Sequence, residues 1–480
     1  MSPFLILSIF LLYTAILFTV TWITSRKADS QSFFIGNRKS PWFVVAYGMI
    51  GASLSGVTFM SVPGWVSETQ FSYMVVVFGY LVGYAAIALI LLPLYYRLKL
   101  TSIYSYLEER FGFWSYKTGA GFFILSRTLG ASLRMFLVIN VLQIFVFDAW
   151  HIPFWVNALI FIVLIILYTF KGGIRTIVWT DTLQTTFMLL AVVLSIFYIS
   201  KDLGLPLSDL FREAQESGIT RMFITDWHHE RFFLKQFFSG MFITITMTGL
   251  DQEMMQKNLS CRNLKEAQKN MFTFSGILVF VNLMFLFLGA FLLLFSWSKG
   301  ITVEATDDLF PVIALEHMSP IAGLVFLIGL ISAAFPSADG ALTSLTTSVS
   351  IDFLGLDKKK GLTEKEATKT RYGVHLSIAL VFFVCILIFS TLNDEAIIDK
   401  LFTIAGYTYG PLLGLYTFGL FTKRAVNDKV TPYIAILSPT ICYILSKYSV
   451  QLFNGYRFGF ELILLNGLLM FMGLWAFSRK

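Results

Sequence analysis

The chain is 480 residues long, 56% hydrophobic and only 14% charged. Soluble domains carry about 25% charged residues, so this chain lacks the polar surface to face water on all sides, and a wholly soluble fold is excluded. Its net charge of +7 is no nucleic-acid signature, because the basic residues sit between apolar runs, where an anionic membrane leaflet is the simpler partner.

The first apolar run, Pro3 to Ile23, has no basic segment ahead of it and no small-residue cleavage site. It is long enough to cross about 30 Å of hydrocarbon and reads as a retained helix, not a signal peptide. Further runs of spanning length begin near Trp42, Ser72, Gly119, Phe154, Leu183, Phe237, Phe272, Ile321, Val374, Ile397, Thr431 and Phe460, thirteen in all. The expected fold is an all-α integral membrane protein of about thirteen transmembrane helices. With the N-terminus outside, inner loops and the C-terminal tail hold 25 of the 36 Lys and Arg residues, and outer loops hold 9. The positive-inside bias predicts an N-out, C-in topology in a cell inner membrane of bacterial type.

Span two carries Gly51-Ala52-Ser53-Leu54-Ser55-Gly56-Val57-Thr58. Glycine disfavours helix and hydroxyls compete for backbone bonds, so this stretch is expected to unwind. Ser53, Ser55 and Thr58 then supply hydroxyls beside open carbonyls, or else serve only as small packing residues. Span seven has a comparable weak point at Gly240 and Thr244 to Gly249. Weakened helices five spans apart point to an inverted repeat with a binding site at the midplane.

Four charged positions stand out at membrane depth. Arg127 and Arg134 share one face of span four. Arg127 lies nearer the inner end and suits an acidic partner; Arg134 lies deeper, and its fork suits a substrate carboxylate or a structural ion pair with Asp339, Asp251 or Asp181. Asp181, where span six enters the bilayer, is either a cation ligand or a helix cap. Asp339 in span nine follows Pro336, which frees the Ser332 carbonyl, and Ser337. A carboxylate there must be protonated, paired or bound to a cation. Cys261, Cys385 and Cys442 lack metal spacing and read as unpaired filler, and the histidines His228 and His229 read as loop residues.

The segment Gly172 to Gln184, reading Gly-Gly-Ile-Arg-Thr-Ile-Val-Trp-Thr-Asp-Thr-Leu-Gln, resembles the signature of the sodium:solute symporter family. Arg97-Leu98-Lys99 with Tyr106 to Gly112, Gly249 to Gln256, and the hydroxyl-rich span nine resemble the same family, in its order, over about residues 33 to 425. The resemblance implies a fold like that of the leucine transporter, with spans two to six (about 40–200) and seven to eleven (about 236–422) as inverted repeats. An extra first helix (1–30) and two C-terminal helices (430–480) would flank them. It implies a sodium site on the carbonyls of Gly51, Leu54 and Ala333 and on hydroxyls at 336 and 337. Pro336 departs from that pattern, leaving Ser337 alone. Asp339 stands where relatives usually have a small or hydroxyl residue, so either the sodium site is weaker or Asp339 with Asp181 builds a second cation site or a proton site. Substrate contacts are implied at Ser53, Ser55, Thr58 and Arg134.

The expectation is therefore a sodium-coupled symporter importing a small polar, carboxylate-bearing metabolite by alternating access, with sodium as coupling ion and no cofactor. The alternatives are a sodium- or proton-coupled symporter of a neutral sugar or polyol, and a passive channel, for which no filter motif is present. No nucleotide-binding, metal or nucleophile motif marks an enzyme, and neither nucleic acid nor an obligate protein partner is implied.

Overall fold

The computed structural model describes residues 3–25, 38–170, 173–359, 363–391 and 397–479. Its regular structure is helical except for a short ribbon in which Ala425–Val426 pairs antiparallel with Ser478–Arg479, and one isolated bridge between Ser40 and Cys261. In hydrocarbon each backbone amide and carbonyl must be satisfied within the protein, and a helix does this inside one segment. The first half comprises α1 (Pro3–Ser25), the pair α2 (Trp42–Ser53) and α3 (Gly56–Thr69), and α4 (Tyr73–Ala86), extended through a π turn to Arg97. Then come α5 (Phe113–Leu142), α6 (Phe154–Thr169) and α7 (Gly173–Leu203). After the surface helix α8 (Leu207–Glu216) follow α9 (Phe233–Thr244), α10 (Gln252–Leu259), α11 (Leu264–Lys299) and α12 (Pro320–Ser348). The chain closes with α13 (Glu364–Phe389), α14 (Ile397–Phe421), α15 (Thr431–Lys447) and α16 (Leu462–Ala476).

Each of the thirteen apolar runs falls on a helix. Among the described residues seven helices are long and apolar enough to cross a bilayer, and the α2–α3 pair makes an eighth. Several helices begin earlier than hydrophobicity places them: α5 at Phe113, α11 at Leu264 and α13 at Glu364. The first turns of α11 and α13 are polar but capped. The Asn263 side chain accepts the Glu266 amide at 2.9 Å, and Thr363 and Glu366 form a reciprocal capping box. The polar stretch 201–235 likewise holds α8, whose Phe211 packs edge-on against Phe287 of α11 at 4.7 Å.

One expectation needs correction in part. Gly240 does not weaken span seven; it is where α9 and α4 touch. A Cβ on Gly240 would run into the Val76 carbonyl, and one on Gly79 into the Phe237 carbonyl, so the two backbones lie in contact. The weak point of span seven lies in the expected stretch Thr244 to Gly249, at the π turn Ile245–Gly249, and runs on into the break at Leu250 and Asp251. Pro336 lies inside α12, which runs unbroken through it from Pro320 to Ser348. The signature residues Lys171 and Gly172, and most of the first inner loop (26–37), lie outside the described residues.

The α4–α9 contact makes a direct stability prediction. Gly240→Val should lower the melting temperature of the purified protein, since overpacking of this kind costs about 1–3 kcal/mol. Gly276→Ala, in open space on α11, should leave it unchanged or raise it slightly.

Candidate functional site

The predicted unwinding of span two is present and sharply placed. Helix α2 ends at Ser53, Leu54 and Ser55 leave helical geometry, and α3 departs at 55° to α2. A break of this kind strands the last carbonyls of one helix and the first amides of the next. The second break, between α9 and α10, is filled by the protein itself. Tyr95 donates to the Gly249 carbonyl and Tyr104 to the Leu250 carbonyl, both at 2.8 Å. The Asp251 side chain then caps α10 by accepting the amides of Glu253 and Met254 at 2.9 and 3.2 Å. No side-chain donor reaches the carbonyls of Gly51, Ser53 or Leu54 among the described residues. The two breaks thus differ in kind: one is sealed and the other is open.

The open break faces a central cavity. Ser53, Leu54, Ser55 and Thr58 line it from the break, and Arg127 and Arg134 from α5. Tyr73, Tyr80 and Tyr84 of α4 and Asn282 of α11, none of them singled out by sequence, add to its polar wall, with Thr244 and Thr248 from the weak stretch of span seven. Of the ten candidate residues, the cavity therefore gathers Ser53, Ser55, Thr58, Arg134 and Leu54. Gly51, Ala333, Ser337, Asp339 and Asp181 lie behind its wall. Gly51 is pressed onto α7, its amide donating to Thr185 Oγ1 at 3.0 Å. Ala333, Ser337 and Asp339 are buried along α12, where the Ser337 hydroxyl donates to the Ala334 carbonyl at 3.0 Å.

A thin layer of rings closes one end of the cavity. Tyr73 packs against Phe402 at 6.3 Å, Phe402 against Phe460 at 4.9 Å, and Phe460 against Trp65 at 6.2 Å. Phe402 and Tyr73 face the central cavity. Phe460 faces a second cavity, bordered by Glu230, Arg231, Asp399 and Glu461.

The deep charges sort in a way the sequence did not show. Arg127 pairs with Glu253 and lies 3.9 Å from Asp251 Oδ2, which also accepts the Tyr409 hydroxyl at 2.7 Å. Lys257 Nζ lies 2.8 Å from Asp181 Oδ2 and 3.3 Å from Glu253 Oε1. Asp181 is therefore not a helix cap: it sits well inside α7 and holds a lysine. Lys257, read from sequence as an inner-loop charge, is only 1% exposed. Arg134 stands apart. It is 7% exposed, makes no ion pair among the described residues, and its Nε has no hydrogen-bond partner there.

A bundle of apolar helices around a broken span and a central polar cavity is the architecture of a secondary transporter. The family model of the sodium:solute symporter family matches residues 33–429, and the chain belongs to that family, with sodium as its coupling ion. It is 24% identical to a sodium/sialic acid symporter of Proteus mirabilis, over 91% of this chain and 88% of that one. It is 23% identical to one of Aliivibrio fischeri, over 93% and 88%. The bovine sodium-coupled monocarboxylate transporter 2 is 24% identical over 82% of this chain and 64% of its own. In structure, the chain superposes on a substrate-bound, outward-open Na+-coupled sialic acid symporter with a TM-score of 0.81, at 19% identity and 99% coverage of both chains.

The Arg127–Glu253 pair should behave as a buried pair. Arg127→Leu alone is expected to cost about 3–5 kcal/mol, because it leaves Glu253, Asp251 and Asp181 with one buried cation, Lys257, between them. Arg127→Leu with Glu253→Gln should recover much of that loss, read as melting temperature and yield of folded protein in detergent.

Proposed function

We propose that the chain imports a small carboxylate-bearing solute across a bacterial-type inner membrane by alternating access, with the N-terminus outside and the C-terminus inside. The observation that carries this reading is Arg134: a guanidinium in the cavity wall with no acidic partner among the described residues. A buried cation left without a counter-charge is costly, and a planar carboxylate matches its fork with two hydrogen bonds. Sialic acids and monocarboxylates, the solutes named for the relatives, share that one group. Ser53, Ser55 and Thr58 are assigned to the rest of the solute, as hydroxyl partners on the opposite wall.

The sodium ion is assigned to the carbonyls of Gly51, Leu54 and Ala333 and to the Ser337 hydroxyl. Among the described residues no side-chain donor reaches the Gly51 or Leu54 carbonyl, which supports this, since carbonyls at a helix break can coordinate a dehydrated cation. Ser337 donates its proton to its own helix, which leaves the oxygen lone pairs for a ligand. Asp339, fully buried on the same helix, is assigned to a second cation or a proton.

Uptake into proteoliposomes, driven by a sodium gradient and screened across organic acids, amino sugars, neutral sugars and polyols, tests the reading. Arg134→Gln and Arg134→Lys should both abolish uptake of the acid that the parent carries, the lysine because it lacks the bidentate fork. Transport of a neutral solute that survives Arg134→Gln would end the carboxylate assignment. Ser337→Ala should raise the sodium concentration for half-maximal uptake about tenfold, the cost of one neutral ligand. An unchanged sodium dependence would move the ion elsewhere.

A further inference from the structure

The cluster around Lys257 lies behind the cavity wall and takes no part in the binding just assigned. Lys257 and Glu253 stand one turn apart on α10, and the lysine reaches across to Asp181 on α7. All three side chains are 1% exposed or less. The neighbouring helices leave room for them by glycine. A Cβ on Gly48 of α2 would stand 3.1 Å from Asp181 Cβ, and one on Gly340 of α12 would strike the Glu253 carboxylate. Arg127 of α5 holds Glu253 from the far side, and Asp251 is held by Tyr409 of α14. Glu253 therefore has two cations and Asp181 has one, the ammonium.

That ammonium sits where a mobile cation would otherwise be drawn. Asp181 Oδ1 is buried and has no hydrogen-bond partner among the described residues, so the carboxylate still offers an oxygen. Its charge, however, is already compensated at 2.8 Å on the other oxygen. An uncompensated carboxylate at this depth attracts a cation, and a compensated one does not. We infer that Lys257 is a built-in cation of this transporter, whose ammonium keeps the Asp181 carboxylate from taking a further sodium ion. It acts as a positioning and stoichiometry-setting residue and never touches the solute.

The test counts sodium on the purified full chain in detergent, by binding of radiolabelled sodium at saturation, and needs no solute. Lys257→Met should bind one sodium more per chain than the parent, and Lys257→Arg, which keeps the charge, should bind the parent's number. Asp181→Asn in the parent background should leave the number unchanged. A folded Lys257→Met that binds only the parent's number overturns the inference, and so does a fall in number on Asp181→Asn. Should Lys257→Met alone fail to fold, Lys257→Met with Asp181→Asn removes both charges. It should bind the parent's number, and a lower number overturns the inference. A purely structural lysine would change stability in these variants and leave the count alone.

Discussion

The hydrocarbon interior holds no water, and every backbone break or charge within it has to be answered by the protein or by what the protein carries. The rest of this architecture follows from that one constraint. Two helices break at membrane depth, and they are answered differently. At Leu250 and Asp251 the protein supplies tyrosine hydroxyls and a side-chain cap, so that break is structural. At Leu54 and Ser55 no such donors arrive, and the chain opens onto a cavity instead. Functional opportunity lies where the structural answer is withheld.

The same division runs through the two arginines of α5. They are seven residues apart and share a helix face, yet Arg127 meets Glu253 while Arg134 meets no acid among the described residues. Arg127 belongs to a chain of opposite charges, Arg127–Glu253–Lys257–Asp181, that joins α5, α10 and α7 through side chains almost without exposure. Arg134 lies one step beyond the end of that chain. One cation holds helices together and the other faces the solute space, and only three-dimensional placement of Glu253 distinguishes them.

Much of the fold was legible in the sequence because its signals are local. Apolar length places the helices, and the glycine and hydroxyl run from Gly51 to Thr58 marks the open break to within a residue or two. What escaped is long-range or masked by polarity. Helix α10 is short and polar, follows a break, and so reads as loop; its Glu253 and Lys257 were missed although their spacing of four is a helical signal. Their partners lie 126 and 76 residues away in sequence, beyond the reach of any periodicity. Gly240 misled for a related reason: a glycine that loosens a lone helix and a glycine that lets two helices touch look alike until the second helix is in place.

The order of the charge chain has a consequence for biogenesis. Synthesis runs from the N-terminus, so Arg127 and Asp181 enter the membrane before Glu253 and Lys257 have been made. Until then each is a lone charge in its helix, at about 2.5–3.5 kcal/mol on an insertion scale, offset only by the apolar residues around it. The first seven helices are therefore held in the bilayer by hydrophobicity alone. They acquire their fixed arrangement when the eight residues of α10 arrive and pair both ends at once. A ribosome stalled before residue 253 would leave a bundle inserted but unlatched, and exposed to the quality-control proteases of its membrane.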